Sequence, residues 1–211
     1  GGDGGIPTPA LPDDDVFRPD SDAGHPGFAS PHSNPIGVLP DYSRLYVANT
    51  QADTVDVFNA QTGAKLTRIH VGIDPVSIAV RPDGLEVWVS NHVSDTVSVI
   101  DADPGSATHH QVIATIQEVD AESRSTRFDE PVGIAFTGDS QKAYVALSSE
   151  DKIAVVDVQS RQVVDRLNIR SQDPRSLTVA GNRLYVVAFE SGNQTQVSGC
   201  RPEDIDGDLC T

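Results

Sequence analysis

Apolar and polar residues alternate with a period of two through short segments of this chain, as in "SIAV" at 77–80, "VWVS" at 87–90 and "TVSVI" at 96–100. That period sends successive side chains to opposite faces, so each segment predicts a β-strand. Clusters of Gly, Pro, Asp, Asn and Ser separate the segments. In "RPDG" at 81–84, Pro82 presets its φ and Gly84 accepts a positive φ, which predicts a hairpin turn. "NTQAD", "NHVSD" and "LSSED" predict a second turn before the strands "TVDVF", "TVSVI" and "KIAVV". A further strand is predicted in "KLTRIHV", "HQVIATIQ" and "QVVDRLNIR". Helical periodicity is close to nil.

The pattern recurs. The aromatic anchors Tyr46, Trp88, Tyr144 and Tyr185 are spaced by 42, 56 and 41 residues. Asp41, Asp83 and Asp139 stand five residues before their anchors, and Asp53, Asp95 and Asp151 stand seven after them. Four short antiparallel strands in a repeat of about forty residues predict an all-β fold, a β-propeller of four-stranded blades. A flat β-sandwich of unrelated strands leaves the fixed offsets unexplained. Three full blades are predicted near 35–72, 75–117 and 131–170, with two strands of a fourth at about 175–190. The ring is expected to be completed by further sequence or by another chain, because closure covers every blade face and edge. Residues 1–34, rich in Gly, Pro and Asp, read as a leader or linker arm, and 191–211 as an acidic loop inserted in blade four.

"YVAN" at 46–49 and "WVSN" at 88–91, each followed by "DTVxV", resemble the YVTN-type β-propeller repeat. "YVAL" and "YVVA" in the later copies keep the aromatic and the Val but lose the Asn. The likeness covers roughly residues 35–190. It implies a secreted, periplasmic or surface-layer protein of bacteria or archaea. Similar blades carry haem d1 domains, quinoprotein subunits and lactonase-like enzymes, so the resemblance specifies fold more than activity. The repeated aromatics would fill the wedge between blades, and the repeated Asn and Asp would bond the backbone locally at turns.

Charge narrows the partners. With 15 Lys and Arg against 31 Asp and Glu, the net charge is −16, which repels phosphate backbones and anionic lipid. Nucleic acid is therefore not an expected partner. No apolar run is long enough for a membrane span. The sequence contains no Met, and its opening "GGDGGIPTPALPDDD" reads as a processed terminus or a cut fragment, compatible with a lipid tether upstream of residue 1. Cys200 and Cys210 enclose "CRPEDIDGDLC" and read as a local disulfide, which favours an extracytoplasmic location; unpaired thiols are the alternative.

Candidate chemistry is sparse. Asp204, Asp206 and Asp208 alternate as in loops that wrap calcium, although Gly207 comes too early for an EF-hand and no closing Glu follows; a solvated acidic loop is the alternative. The insertion "QEVDAESRSTRFDE" at 117–130, with Glu118, Asp120, Glu122, Arg124 and Arg127, is the candidate partner loop, set against a tolerated surface loop. His25 and His32 fall in the arm, His70 and His92 near blade edges. His109 and His110 are expected on opposite strand faces and so unable to chelate together. "SEDK" at 149–152 matches Ser-x-x-Lys only by letter, since it falls in a repeated turn rather than on a helix. "NQT" at 193–195 is a glycosylation sequon if the source modifies Asn. The leading expectation is a non-catalytic interaction or surface-assembly module. The alternative is the propeller portion of a redox (haem or quinone) or hydrolytic enzyme, its reactive centre in sequence outside this chain or on a partner.

Overall fold

A computed structural model describes residues 30–190 and the backbone of two further short strands. Blade 1 comprises β1 (Ile36–Val38), β2 (Arg44–Asn49), β3 (Thr54–Asn59) and β4 (Lys65–His70). Blade 2 comprises β5 (Pro75–Val80), β6 (Glu86–Asn91), β7 (Thr96–Asp101) and β8 (Val112–Ile116). Blade 3 comprises β9 (Pro131–Phe136), β10 (Lys142–Leu147), β11 (Lys152–Asp157) and β12 (Gln162–Asn168). A two-stranded sheet follows, β13 (Gln172–Ala180) and β14 (Arg183–Glu190), and then β15 (Ile205–Asp206) pairs with β16 (Leu209–Cys210). Each four-stranded sheet is an antiparallel meander in chain order, as the repeat predicts.

The first strands β1, β5, β9 and β13 adjoin one another in succession, so they form the inner side of the stack. The fourth strands lie outermost, with mostly exposed or half-buried residues on β8 and β12. The inner strands come close because two glycines stand there. A Cβ on Gly37 would lie 2.6 Å from Ile78 Cγ2, and one on Gly133 would run into the Arg175 carbonyl oxygen. The third and fourth strands of every complete blade share a bulge, at Val57/Phe58, Val99/Ile100 and Val155/Val156. Bulges increase local twist, and blades in a propeller are strongly twisted.

Period-two alternation divides blade 2 between two cores. Ile78, Val87, Val89 and Ile100 of blade 2 pack on Tyr46, Val55, Val57 and Ile69 of blade 1. Ala79, Trp88, Val97 and Val99 face the other way, onto Phe136, Val145 and Val156 of blade 3. Each blade-to-blade seam is thus a separate hydrophobic core, stabilised by apolar burial at roughly 25 cal/mol per Å². Among the described residues no helix is long and apolar enough to cross a membrane.

Two expectations change here. Tyr185 does not fill a wedge: it is 49% exposed, whereas Tyr46 and Trp88 are fully buried. No described element packs on that face of β14. The last residues of the predicted arm are also part of the structure. Asn34 forms a parallel bridge with Ser77, and the Ser30 hydroxyl donates to Asp74 Oδ1 at 2.7 Å.

Candidate functional site

The recurring carboxylates are joints between blades. Asp53, Asp95 and Asp151 adopt left-handed φ values of 55°, 55° and 54°. The Asp53 carboxylate accepts the Asp74 N–H at 2.9 Å, Asp95 accepts that of Glu130 at 3.0 Å, and Asp151 that of Asp173 at 2.7 Å. Asp74, Glu130 and Asp173 are themselves left-handed, and each precedes the Pro that leads into the next blade's first strand. The expected local turn bonds are therefore corrected: each Asp ties its blade to the next. Local Asx bonds belong to Asp41, Asp83 and Asp139, whose oxygens accept the N–H groups of Ser43, Leu85 and Gln141. A third fixed offset lies thirteen residues after the aromatic, where Asn in one copy and Asp in two obscure the repeat. There Asn59, Asp101 and Asp157 accept N–H groups in the turns between third and fourth strands.

Polar groups at the opposite ends of the seams differ from one seam to the next. Between blades 2 and 3, buried Glu86 receives Trp88 Nε1 at 2.8 Å and Arg161 at 3.1 Å, and Arg81 lies 3.0 Å away. Between blades 1 and 2, the position of Glu86 is taken by Arg44, that of Trp88 by Tyr46, and that of Arg161 by His110. Here Arg44 Nε, the Tyr46 hydroxyl, His109 Nδ1 and His110 Nε2 are buried without a partner. His109 and His110 do not face opposite ways as expected. They lie in a turn, His110 has a φ of 62°, and the two rings stack with centroids 3.6 Å apart. His110 also meets the edge of Tyr46 at 6.1 Å. Burial lowers the His110 pKa to about 4, assisted by the neighbouring His109 and Arg44 side chains. Burial likewise pushes the Tyr46 hydroxyl up to about 12.

The insertion folds as a strapped loop. Phe128 is fully buried in the core between blades 2 and 3, an anchor that the charged surroundings conceal in the sequence. Arg166 of β12 bonds Glu118 at 2.6 Å, Arg127 lies 3.9 Å from Glu118, and the Asp120 carboxylate accepts N–H groups from Glu122 and Ser123. Of the candidate partner residues, Glu122, Arg124 and Arg127 are exposed. His32 contacts Thr50 at 2.7 Å, His70 is exposed, and His92 Nε2 lies 3.9 Å from Glu130. Ser149 is exposed in the β10–β11 turn, away from any helix. Cys200, Asp204, Asp208, His25 and Asn193 lie outside the described residues, as do the side chains of Asp206 and Cys210. Among the described residues, no three His, Cys, Asp or Glu side chains converge as a metal cage.

A repeated four-stranded blade with interlocking seams defines a β-propeller segment, and the comparisons place it. The family model "Lactonase, 7-bladed beta-propeller" matches residues 12–201, so the chain belongs to that family. A search of curated proteins gives no match. Among solved structures, the chain is similar to Kuenenia stuttgartiensis hydrazine synthase, at 28% identity and a TM-score of 0.64 over 78% of this chain and 44% of that one. It is also similar to U3-55K, at 17% identity and a TM-score of 0.61 over 77% of this chain and 47% of that one. A third is the Cps50 (Swd1) propeller domain of Myceliophteria thermophila, at 11% identity and a TM-score of 0.60 over 75% of this chain and 48% of that one. The last two support the fold alone. The chain spans a little under half the length of these structures.

Proposed function

We propose that this chain is a propeller segment that works as a protein-interaction or surface-assembly module outside the cytoplasm, completed by further blades. One observation carries the reading. On β14, Tyr185, Val187 and Phe189 form an apolar row that is 49%, 64% and 73% exposed. The alternate residues Leu184, Val186 and Ala188 are half-buried. On blade 1, Ile36 and Val38 of β1 and Leu66 of β4 are likewise large and exposed. Such rows match those buried inside the seams, so the surface they fit is another blade. The seven-bladed family description supports the same reading. The Cys200 and Cys210 pattern supports the compartment.

A second reading, the propeller portion of a hydrolytic or redox enzyme whose reacting groups lie elsewhere, is favoured by the lactonase family match and by the similarity to hydrazine synthase. Sedimentation tests the assembly reading. The chain is expected to sediment as a species heavier than its own 22.4 kDa, and Val187→Glu with Phe189→Glu is expected to dissolve that assembly. A stable monomer of the parent chain overturns it. A haem or quinone absorbance retained by the purified protein favours the enzyme reading. Full thiol labelling of Cys200 and Cys210 without reductant removes the argument for compartment.

A further inference from the structure

The two complete seams have the same architecture but differ in polar pairing, with Arg161 Nε the unpartnered guanidinium nitrogen at one and Arg44 Nε at the other. At the seam of blades 2 and 3, a single carboxylate, Glu86, collects an indole N–H and a guanidinium from the two blades, with a second guanidinium beside it. At the seam of blades 1 and 2, the same positions hold only groups able to donate: Arg44, Tyr46 and His110, with His109 stacked alongside. Four of their polar atoms are buried and unpartnered. Leaving such atoms unsatisfied costs about 1–3 kcal/mol each, more where a charge is involved. A hydroxyl and a guanidinium N–H donate, and each imidazole can present an N–H in one tautomer. What these four atoms lack is a hydrogen-bond partner.

Next to this cluster is a cleft of about 380 Å³ between the two blades. Pro40, Gly84 and Leu85 line it together with Arg44 and His109. The ring stack runs from buried Tyr46 through His110 to His109 on the cleft wall. Asp41 and Asp83 also line the cleft, and three of their four carboxylate oxygens accept hydrogen bonds. Asp41 Oδ1 accepts the Ser43 N–H and hydroxyl, and both oxygens of Asp83 accept Arg81 Nε. Asp101, the other carboxylate near the cluster, is bound by Thr108 and by the Asp103 N–H.

We propose that this cleft binds a small organic carboxylate, held against Arg44 and His109 on its wall. Arg44 supplies the charge, as guanidinium groups do in forked recognition of carboxylates. His109, also on the cleft wall, offers an imidazole beside it, while Tyr46 and His110 stand behind that wall. A metal cation does not suit the same cluster, because a guanidinium stands in it and the stacked rings do not converge on one point. The proposal is independent of how the propeller ring is completed.

Acetate is the probe. Titrated into the protein at constant pH and ionic strength, it is expected to shift the ring resonances of His109 and His110 saturably, with a Kd of about 1–10 mM for so small a ligand. Equal shifts with chloride would reduce the effect to a diffuse anion atmosphere and overturn the proposal, as would shifts that never saturate. Arg44→Met is expected to weaken acetate binding at least about tenfold, the factor for losing roughly one charged hydrogen bond. Unchanged binding in that variant also overturns it. Should Arg44→Met fail to fold, Arg44→Lys keeps the charge but loses the fork and is expected to weaken binding several-fold. Arg44→Glu builds the carboxylate into the chain, as Glu86 does. It is expected to abolish the acetate response and to raise Tm by about 2–4 °C; a lowered Tm would show that the seam was not waiting for a carboxylate.

Discussion

Trp88 and Tyr185 occupy the same place in the repeat, third along the second strand of a blade, yet one is fully buried and the other is half exposed. Tyr46, also fully buried, matches Trp88, and Tyr144 is half-buried. The order follows what stands across the next seam. Tyr46 and Trp88 each face a complete four-stranded blade, Tyr144 faces the two-stranded sheet, and Tyr185 faces no described element. The aromatic therefore contributes little to its own sheet. Its stabilisation arises from the neighbouring blade, and it is absent wherever that neighbour is absent.

Stability measurements offer the most direct way to break this comparison. Trp88→Ala removes a side chain that packs edge-on to Phe136 at 5.0 Å and donates to Glu86, and it is expected to cost about 4 kcal/mol. Tyr185→Ala, at an exposed position, is expected to change stability by less than about 0.5 kcal/mol. Urea denaturation of both variants decides the matter; equal losses would mean that burial at the seam is not the cause. Supplying the next blade should convert Tyr185→Ala into a costly change as well.

The seam joints should give a smaller effect. Asp95→Ala removes the bond to the Glu130 N–H and places Ala in the left-handed region, for an expected loss of about 1–2 kcal/mol. Asp95→Asn keeps an acceptor and tolerates that backbone, so it should stay within about 0.5 kcal/mol of the parent. Its carboxyl is raised by burial, against the Glu130 N–H and with the nearby Asp129 and Glu130 charges, so neutralising it sacrifices little. A large loss in the Asn variant would contradict that account.

The acid response should be the subtlest signal. His110, with its pKa depressed to about 4, is neutral in the folded protein, while an unfolded His binds a proton near pH 6.5. Its contribution is therefore complete above about pH 6.5 and declines as the pH falls toward 4. Asp56 acts in a lower window. Burial alone would raise it, but bonds from Arg68, Lys65 and Asn49 prevail and hold it at about 2. Its contribution is present above about pH 4 and is lost as the pH falls to 2. His110→Asn, which tolerates the positive φ, should flatten the upper window of a stability–pH curve and leave the lower one; an unchanged upper window would place the cause elsewhere.

The sequence by itself determined the blades. Period-two alternation has only one satisfactory outcome when both strand faces must be buried, and turn residues at fixed offsets set strand number and register, so blade limits could be read to within a few residues. It also identified Asp53, Asp95 and Asp151 as fixed parts of the repeat, because a left-handed turn residue leaves a local signature. Only the tertiary structure decided what they bond, since the partner N–H lies more than twenty residues further on, across a seam. The same holds for His109 and His110, whose strand-like setting concealed a turn that stacks their rings, and for Phe128, buried amid a charged insertion. Equivalent letters acquire different environments because a blade's faces belong to its neighbours. Glu86 collects Trp88 and Arg161, whereas Arg44 Nη1 reaches only the adjacent Ser43 carbonyl and its Nε has no partner, a difference that appears only when two blades stand side by side.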